Sequence, residues 1–413
     1  MLVSVFTPSH NARFLDDCYR SLARQTFRDW EWVVLLNGGA KAWSPPERDD
    51  RVKVTRGKFP PKVGAAKRAA CELCSGEILF ELDHDDIITS TCLQEVHDAF
   101  KVDDDTVLVF SDFAQISEDG SPNHDRFNPA MGWEYTEEEI DGVTYLRCHA
   151  LAALPHNVGY IWYAPNHLRA FRRSTYLDVG GYDAQLAVLD DQELMIRLFL
   201  AGDFRHIDRC LYFQRVHSGN TQSEASTNAF IQEQTVRYYQ QHIEDLAVAW
   251  SRRRGLAVVT ARTSSSPWSS DPDPGEVIDV DPEKPILPYD EGAVGVIKAY
   301  ELLQRLPDRA AFFNECHRVL VHGGLVLTRT PSTDGRGAFQ DPSHVAFYNE
   351  NSFWYLTQAR LRSSLPTLTA RLQVSHVRTY FPTPWERDND IPYVEANLLA
   401  LKDGPRLGGP VLC

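Results

Sequence analysis

The sequence predicts an α/β protein built from two units. Strand and helix patterns alternate over the first 100 residues, and a second alternation begins near residue 277. A chain of 413 residues is too long for one ordinary hydrophobic core, and its 43% hydrophobic content is ample for packed domains. We therefore expect an N-terminal α/β domain over residues 1–225, a long connecting helix over 226–255 and a smaller α/β domain over 256–413.

The first domain is predicted from a β-α-β-β-α-β order of elements. Apolar runs that end at turn residues predict strands at 2–8, Trp30–Leu36, Arg51–Thr55 and Glu77–Leu82. Helical spacing of apolar residues predicts helices at 14–25 and Gly64–Cys74. Because a connection between parallel strands places its helix on one face of the sheet, this order predicts a doubly wound, Rossmann-like sheet.

The elements that follow are predicted in the same way, with one irregular stretch at 113–160 that is rich in Trp, Tyr, His and Pro and is typical of a substrate loop. The predicted strands are Thr106–Ser111, Leu168–Arg173, Val277–Val280, Val294–Ala299 and Leu325–Arg329. The predicted helices are 86–100, Ser174–Val179, 190–201, Thr227–Arg254 and Arg309–Leu320, and a Ser/Pro/Asp-rich linker covers 263–275.

Three carboxylates follow directly on a buried strand. Residues 79–86 read Leu-Phe-Glu-Leu-Asp-His-Asp-Asp, so Asp83, Asp85 and Asp86 lie where the apolar run stops. Like charges this close repel unless protons or a cation neutralise them, and carboxylate oxygens favour Mg²⁺ or Mn²⁺. The octapeptide predicts a metal–diphosphate site at the C-terminal edge of a parallel sheet. A strand followed by a solvated, helix-capping acidic turn is the alternative that this octapeptide leaves open.

Composition excludes some classes of partner. A net charge of −15 argues against general binding to nucleic acid or to an anionic membrane, because phosphate contacts need clustered Lys and Arg. No apolar run reaches the roughly 20 residues that cross a bilayer. Eight scattered cysteines fit a reducing compartment, and Met1 leads into a predicted strand, so we expect a cytoplasmic protein without a membrane span.

Seven short sequence strings, in their order along the chain, resemble those of the nucleotide-sugar-dependent glycosyltransferases with the GT-A fold. The resemblance is to the large family of these enzymes that inverts the configuration of the transferred sugar. The resemblance covers about residues 2–222. The strings are Ser4-Val5-Phe6-Thr7-Pro8-Ser9-His10-Asn11, Ser21-Leu22-Ala23-Arg24-Gln25-Thr26, Glu31-Trp32-Val33-Val34, Gly76-Glu77-Ile78 with Asp83-His84-Asp85-Asp86, Gly180-Gly181-Tyr182-Asp183, Asp190-Asp191-Gln192-Glu193-Leu194 with Arg197, and Gln214-Arg215-Val216-His217.

The resemblance implies a nucleoside-diphosphate sugar as donor. By similarity Thr7, Pro8 and Ser9 line the base, and Asp83 contacts the ribose. Asn37 stands where family members commonly carry an acid that reads the base, so the choice of base is open. Lys62 falls where family members hold cationic contacts to the donor, although a solvated helix face explains it equally well.

The same resemblance implies a metal and a base. Asp85 is expected to coordinate a divalent cation together with His217, and an imidazole ligand suits Mn²⁺ better than Mg²⁺. Asp191 matches the catalytic carboxylate, which takes a proton from the acceptor hydroxyl as that oxygen attacks the anomeric carbon. A single displacement of this kind inverts the configuration. The acceptor, whether glycan, protein or another hydroxyl-bearing molecule, is not legible in the sequence.

The second half resembles the C-terminal half of a class I methyltransferase. The strings that carry this resemblance are Leu287-Pro288-Tyr289-Asp290-Glu291-Gly292, 315–324 and Asp341-Pro342-Ser343-His344-Val345. A glycine-rich turn that would hold S-adenosylmethionine should precede them, and 263–268 reads Thr-Ser-Ser-Ser-Pro-Trp instead. We therefore expect a degenerate, truncated methyltransferase-like domain without catalysis, serving docking or homo-oligomer formation.

Three other functions compete with a glycosyltransferase. A bifunctional enzyme that also methylates is disfavoured by the missing glycine turn. A catalytically inactive scaffold or binding module has no need of Asp83, Asp85, Asp191 and His217 together. A nucleotidyltransferase also uses metal-held diphosphates, but it does not explain Asp191 following the Gly180-Gly181-Tyr182 string.

Overall fold

A computed structural model of the chain describes residues 1–40, 42–57, 62–128, 131–158, 165–219, 225–263, 274–402 and 407–408. The chain divides into two compact units, Met1–His242 and Ile243–Cys413. The division falls within a 29-residue helix, Ala225–Arg253, which corresponds to the long helix that the sequence predicted. Among the described residues, none of the helices combines the length and the apolar character that crossing a bilayer requires.

The first unit alternates strands and helices. Its strands are β1 (Val3–Ser9), β2 (Trp30–Leu36), β3 (Val52–Arg56), β4 (Ile78–Glu81), β5 (Ile87–Ile88), β6 (Thr106–Ile116), β7 (Tyr135–Ile140), β8 (Val143–Cys148), β9 (Arg169–Arg172) and β10 (Asp203–Arg215). Its helices are α1 (Leu15–Ala23), α2 (Val63–Glu72), α3 (Cys92–Val102), α4 (Pro155–Val158), α5 (Arg173–Asp178), α6 (Asp190–Ala201) and α7 (Ala225–Arg253).

These strands form one mixed sheet in the order β3-β2-β1-β4-β9-β6-β10-β5. The first four are parallel, β9 runs antiparallel to both of its neighbours, and the β7–β8 hairpin attaches to β6. The carboxyl ends of β1, β2 and β4 therefore meet at one edge, where open α/β sheets bind ligands. The predicted doubly wound arrangement is confirmed for this half of the sheet.

Two parts of this sheet differ from the sequence prediction. The stretch 113–160 is not irregular throughout, because β6 continues to Ile116 and residues 135–148 form a hairpin. Exposed Glu137 and Glu139 alternate there with the half-buried Glu138 and Ile140. Because most residues of this strand are polar, its alternation does not show as a pattern of apolar residues. The sequence also did not predict β10, whose first half carries alternating charged side chains, although its second half is buried.

A buried carboxylate ties three strands together. Glu31 on β2 accepts hydrogen bonds from the Ser4 hydroxyl at 2.6 Å and from the Ser75 backbone N–H at 2.6 Å, and it pairs with Lys53 on β3. Burial alone would raise the pKa of Glu31, but the bonds from Lys53, Ser4 and Ser75 lower it to about 2.

At Gly76 a Cβ would lie 2.5 Å from the Leu2 carbonyl oxygen, so only glycine fits there.

The second unit contains β11 (Ala257–Arg262), β12 (Glu276–Asp279), β13 (Val294–Tyr300), β14 (Leu320–Pro331), β15 (Leu372–Tyr380) and β16 (Tyr393–Ala400). Its helices are α8 (Arg309–Val319), α9 (Gly337–Gln340), α10 (Glu350–Thr357), α11 (Ala359–Arg362) and α12 (Pro384–Asp388).

The strand order of the second unit is β12-β11-β13-β14-β16-β15, parallel except where β16 lies antiparallel between β14 and β15. The predicted strands at 277–280, 294–299 and 325–329 are confirmed, and a buried apolar core lies against the sheet. The segment that follows β11, where the sequence lacks a glycine-rich turn, is outside the described residues from 264 to 273.

Candidate active site

A cavity of about 790 Å³ opens in the first unit at the carboxyl ends of β1, β2 and β4. Its walls come from the β1–α1 turn, the acidic turn after β4, the start of α6 and the residues that follow β10. Most of the residues predicted to act on substrate line this cavity: Pro8, Asn37, Lys62, Asp83, Asp85, Asp191 and His217.

The acidic turn after β4 is fixed from behind by β10. The Tyr212 hydroxyl donates to one oxygen of Asp86 at 2.7 Å, and the Arg215 backbone N–H donates to the other at 2.7 Å. The Arg215 side chain donates to the Asp85 carbonyl at 2.7 Å. Both oxygens of Asp86 therefore have protein partners, and this residue anchors the turn.

The carboxylates of the acidic turn repel one another, and a bound cation would reduce that repulsion. Burial, together with Glu81 and Asp85, raises the pKa of Asp83 to about 7. Burial, together with Asp85 and Asp83, raises the pKa of Asp86 well above its usual range. Carboxyl groups this close cannot all ionise easily without a positive charge between them.

Asp85 and His217 converge at the cavity. The His217 Nε2 atom lies 2.8 Å from the Asp85 Oδ2 atom, and both side chains face the same space. One carboxylate oxygen and one imidazole nitrogen form a donor set that Mn²⁺ accepts. Asp83, Asp86 and His167 also place ligand atoms within 4.8 Å of one another, but both oxygens of Asp86 already have hydrogen-bond partners. The residues present thus fit a divalent cation at Asp85 and His217.

Asp191 lies on another wall, at the beginning of α6. The preceding Leu189 has a positive φ of 63°, a conformation that a leucine seldom adopts. The Asp191 Oδ2 atom lies 2.7 Å from the Nη1 atom of Arg169, and its Oδ1 atom accepts the Gln192 backbone N–H at 2.9 Å. The carboxylate is therefore held at both oxygens while it lines the cavity.

A buried charge network continues behind Asp191. Lys67 lies 2.7 Å from Glu81 and 2.9 Å from Asp190, and the Tyr182 hydroxyl donates to Glu81 at 3.0 Å. Burial would raise the pKa of Glu81, but Lys67 and Arg169 lower it to about 2. Burial raises the pKa of Asp190 to about 6, although Lys67 opposes that rise. Asp190 is therefore paired with Lys67.

Thr7 and Ser9, predicted to line the base, do not line the cavity through their side chains. The Thr7 hydroxyl donates to the Leu82 carbonyl at 2.7 Å and accepts from the Trp32 indole N–H at 2.9 Å. The Ser9 hydroxyl donates to the Asn11 carbonyl at 2.8 Å. Both side chains are fully buried and brace the end of β1, so a contact with the base would have to come from the backbone.

Two charged residues of this site were missed by sequence reasoning. Arg169 lies in the apolar strand β9 and Glu81 in the apolar strand β4, and neither was assigned a role. A charge inside an apolar strand needs a buried partner, and that rule would have singled out both residues. It would not have shown that they meet each other, because β4 and β9 are distant in sequence.

Residues 4–160 match the family model described as glycosyl transferase family 2. The N-terminal unit carries a family 2 glycosyltransferase domain. The predicted GT-A-like fold of this unit is thereby confirmed, and its mixed sheet is consistent with that fold. Residues 256–328 match a methyltransferase domain model, as the resemblance of the second half implied.

Several curated proteins are similar to part of this chain. The O-antigen biosynthesis protein RfbC of Myxococcus xanthus is 24% identical over 54% of this chain and 16% of its own length. The chondroitin synthase of Escherichia coli is 22% identical over 53% of this chain and 30% of its own length. The chain thus spans less than a third of either relative.

Solved structures of S. aureus TarS are similar in part. The structure of TarS 1–349 in complex with UDP-GlcNAc has 15% sequence identity and a TM-score of 0.42. That comparison covers 61% of this chain and 72% of the TarS chain.

Proposed function

We propose that the family 2 domain transfers a sugar from a nucleoside-diphosphate donor to an acceptor hydroxyl, with metal dependence and inversion of configuration. One observation carries this proposal: a single cavity brings Asp85 and His217 together on one wall and Asp191 onto another. The family 2 model match supports glycosyl transfer as the reaction. Relatives named for O-antigen, chondroitin and hyaluronan biosynthesis favour a glycan as acceptor.

Donor binding is assigned to the end of the cavity that β1, β2 and β4 form. Asp83, Pro8 and Asn37 line this part of the cavity, which supports a hydrogen bond from a ribose hydroxyl to Asp83 and a base that lies between Pro8 and Asn37. Lys62 now donates to Gln185 at 2.8 Å, and it can turn toward the diphosphate because the residue is only half-buried and this bond is exposed. When bound at Asp85 and His217, a Mn²⁺ or Mg²⁺ ion supplies positive charge to the departing nucleoside diphosphate.

Asp191 acts on the acceptor. Its carboxylate takes the proton of the acceptor hydroxyl, whose oxygen forms a bond to the anomeric carbon. The bond from that carbon to the phosphate oxygen breaks, and its electron pair leaves on the diphosphate. Because attack and departure occur on opposite faces of the sugar, the configuration inverts.

The first test is a screen of nucleotide sugars. We expect release of nucleoside diphosphate from at least one donor in the presence of Mn²⁺, and loss of that release after treatment with a chelator. Thermal stabilisation by the same donor should show the same metal dependence. Release that survives complete removal of metal would refute the metal dependence, and no release from any donor would refute the transfer itself.

A bifunctional enzyme is the second candidate, favoured by the methyltransferase model match at 256–328. We propose instead that the second unit is not a methyltransferase. The sequence between β11 and β12 contains Pro and Trp where a backbone that approaches S-adenosylmethionine closely needs glycine.

A further inference from the structure

Arg169 is held on several sides next to the proposed base. It lies in β9, is 6% exposed and lines the cavity. Its Nη1 atom is 2.7 Å from the Asp191 carboxylate and 3.5 Å from Glu81, while its Nε atom donates to the Asn166 carbonyl at 2.9 Å. A guanidinium fixed in this way has one orientation, which Asp191 must match.

The hydrogen bonds of the Asp191 carboxylate also restrict its orientation. An ionised carboxylate offers about four lone-pair positions on its two oxygens. Arg169 engages one position on Oδ2, and the Gln192 N–H engages one on Oδ1. The helix terminus and the arginine thus fix the plane of the carboxylate, and the described part of the chain leaves one position on each oxygen for another partner.

We propose that Arg169 is a positioning residue, which orients the Asp191 carboxylate so that its remaining lone pairs meet the acceptor hydroxyl. The inference rests on the proposed function, because it assigns to Arg169 a part in the proton transfer by Asp191. A charge-assisted bond of this kind is roughly twice as strong as one between neutral groups, which suits it to hold a side chain in place.

The positive charge of Arg169 has a second effect on Asp191, which can be tested separately from the orientation of its carboxylate. Among the described residues, the acids Glu81, Asp190 and Asp191 face the cations Lys67 and Arg169, and all five side chains are buried. Asp83 is a fourth acid close to both cations. Removing the guanidinium leaves these acids with Lys67 as their neighbouring cation, so a negative charge on Asp191 is stabilised less. Because a base must be ionised before it can accept a proton, the acidic limb of the rate profile should then move to higher pH.

A contact between Arg169 and the donor diphosphate is the competing role. The guanidinium is already engaged with two carboxylates and a carbonyl oxygen, and a phosphate would have to break those bonds. The two roles predict different kinetics. Loss of a diphosphate contact raises the donor KM, whereas loss of positioning lowers kcat with the donor KM nearly unchanged.

The experiment measures kcat, donor KM and the pH profile of the full chain for wild type and Arg169→Gln. We expect Arg169→Gln to lower kcat roughly 100-fold, to change the donor KM by less than about threefold and to shift the acidic limb to higher pH. Arg169→Lys keeps the charge but not the planar fork, so we expect a kcat loss of about tenfold with little shift of the limb. This variant also serves if Arg169→Gln does not fold.

Arg172→Gln is the matched control on the same strand. Arg172 donates to the carbonyls of Phe100, Asp103 and Thr106 and stabilises the structure without touching Asp191. We expect this control to lower the melting temperature and to leave the pH profile in place.

The double variant Glu81→Gln/Arg169→Gln restores the net charge of the network without restoring the guanidinium. We expect its acidic limb to return toward that of wild type while kcat stays low, which separates orientation from charge. If Arg169→Gln and Arg169→Lys both keep the wild-type kcat and pH profile in an active enzyme, Arg169 does not position the base. If wild type transfers no sugar from any donor, the proposed function fails, and this inference fails with it.

Discussion

The acidic turn shows how differently three neighbouring aspartates are used. Asp86 points back to β10 and holds the turn, Asp85 meets His217 at the cavity, and Asp83 lines the same cavity. The sequence predicted that Asp83, Asp85, Asp191 and His217 lie together because its strings occur in a recognisable order, while their roles stay a prediction. It could not predict the pairing of Asp191 with Arg169, because that contact depends on β9 entering the sheet antiparallel beside β4.

Replacing Asp85 by Ala should abolish metal-dependent binding of the donor. Half of the proposed ligand pair is lost, and the remaining imidazole of His217 holds Mn²⁺ or Mg²⁺ poorly. Calorimetric titration with the active nucleotide sugar, with Mn²⁺ and after chelation, measures the effect. Asp98→Ala makes the same change at an exposed position on α3 and is the matched control. Equal donor affinity in wild type and in Asp85→Ala with Mn²⁺ would rule out the metal role.

Replacing Asp191 by Asn should keep donor and metal binding and lower kcat by roughly 10²- to 10⁴-fold, because the amide cannot accept the proton. Steady-state transfer at saturating donor, with donor affinity measured on the same sample, checks this. Asp178→Asn makes the same change at an exposed position at the end of α5. Wild-type turnover in Asp191→Asn would remove the base from the mechanism.

At the scale of elements, buried strands were predicted best. The bounds of β2 agree with the prediction at both ends, because all seven of its residues are buried and apolar or paired. The β7–β8 hairpin and β10 were not predicted, since their exposed positions carry Glu, Asp and Arg that mask the alternation. Tertiary pairing with β6 stabilises these strands, and a pattern read along the chain does not contain that information.

Glu31 makes the stability of the first unit depend on pH. Its pKa falls to about 2 in the folded state, below that of an exposed glutamate, so it stabilises the fold at neutral pH. That contribution is lost as the pH falls from about 4.5 to 2. Glu31→Gln should cost about 1–3 kcal/mol at pH 7 and clearly less at pH 2.5, as measured by denaturant unfolding. A cost that is equal at both pH values would mean that the charge of Glu31 does not stabilise the fold.

At the scale of the whole molecule, the chain joins a family 2 glycosyltransferase domain to a methyltransferase-type domain. The sequence predicted both. It placed a connector at 226–255, and the chain divides into its two compact units within the helix Ala225–Arg253. Each unit keeps its own sheet and core.

The second unit should not bind S-adenosylmethionine with micromolar affinity. Calorimetry on the full chain measures this directly, and binding of the active nucleotide sugar to the same sample shows that the protein is competent. Binding of S-adenosylmethionine at micromolar concentration would support the bifunctional enzyme and overturn the assignment of this unit as degenerate.

The stereochemistry of the product tests the central claim most directly. In the proposed function, the leaving diphosphate and the base-activated acceptor lie on opposite faces of one sugar, so a single displacement is expected. NMR of the product formed from the active donor should show an anomeric configuration opposite to that of the donor. A product that retains the configuration of the donor would contradict the proposed arrangement of Asp85, His217 and Asp191.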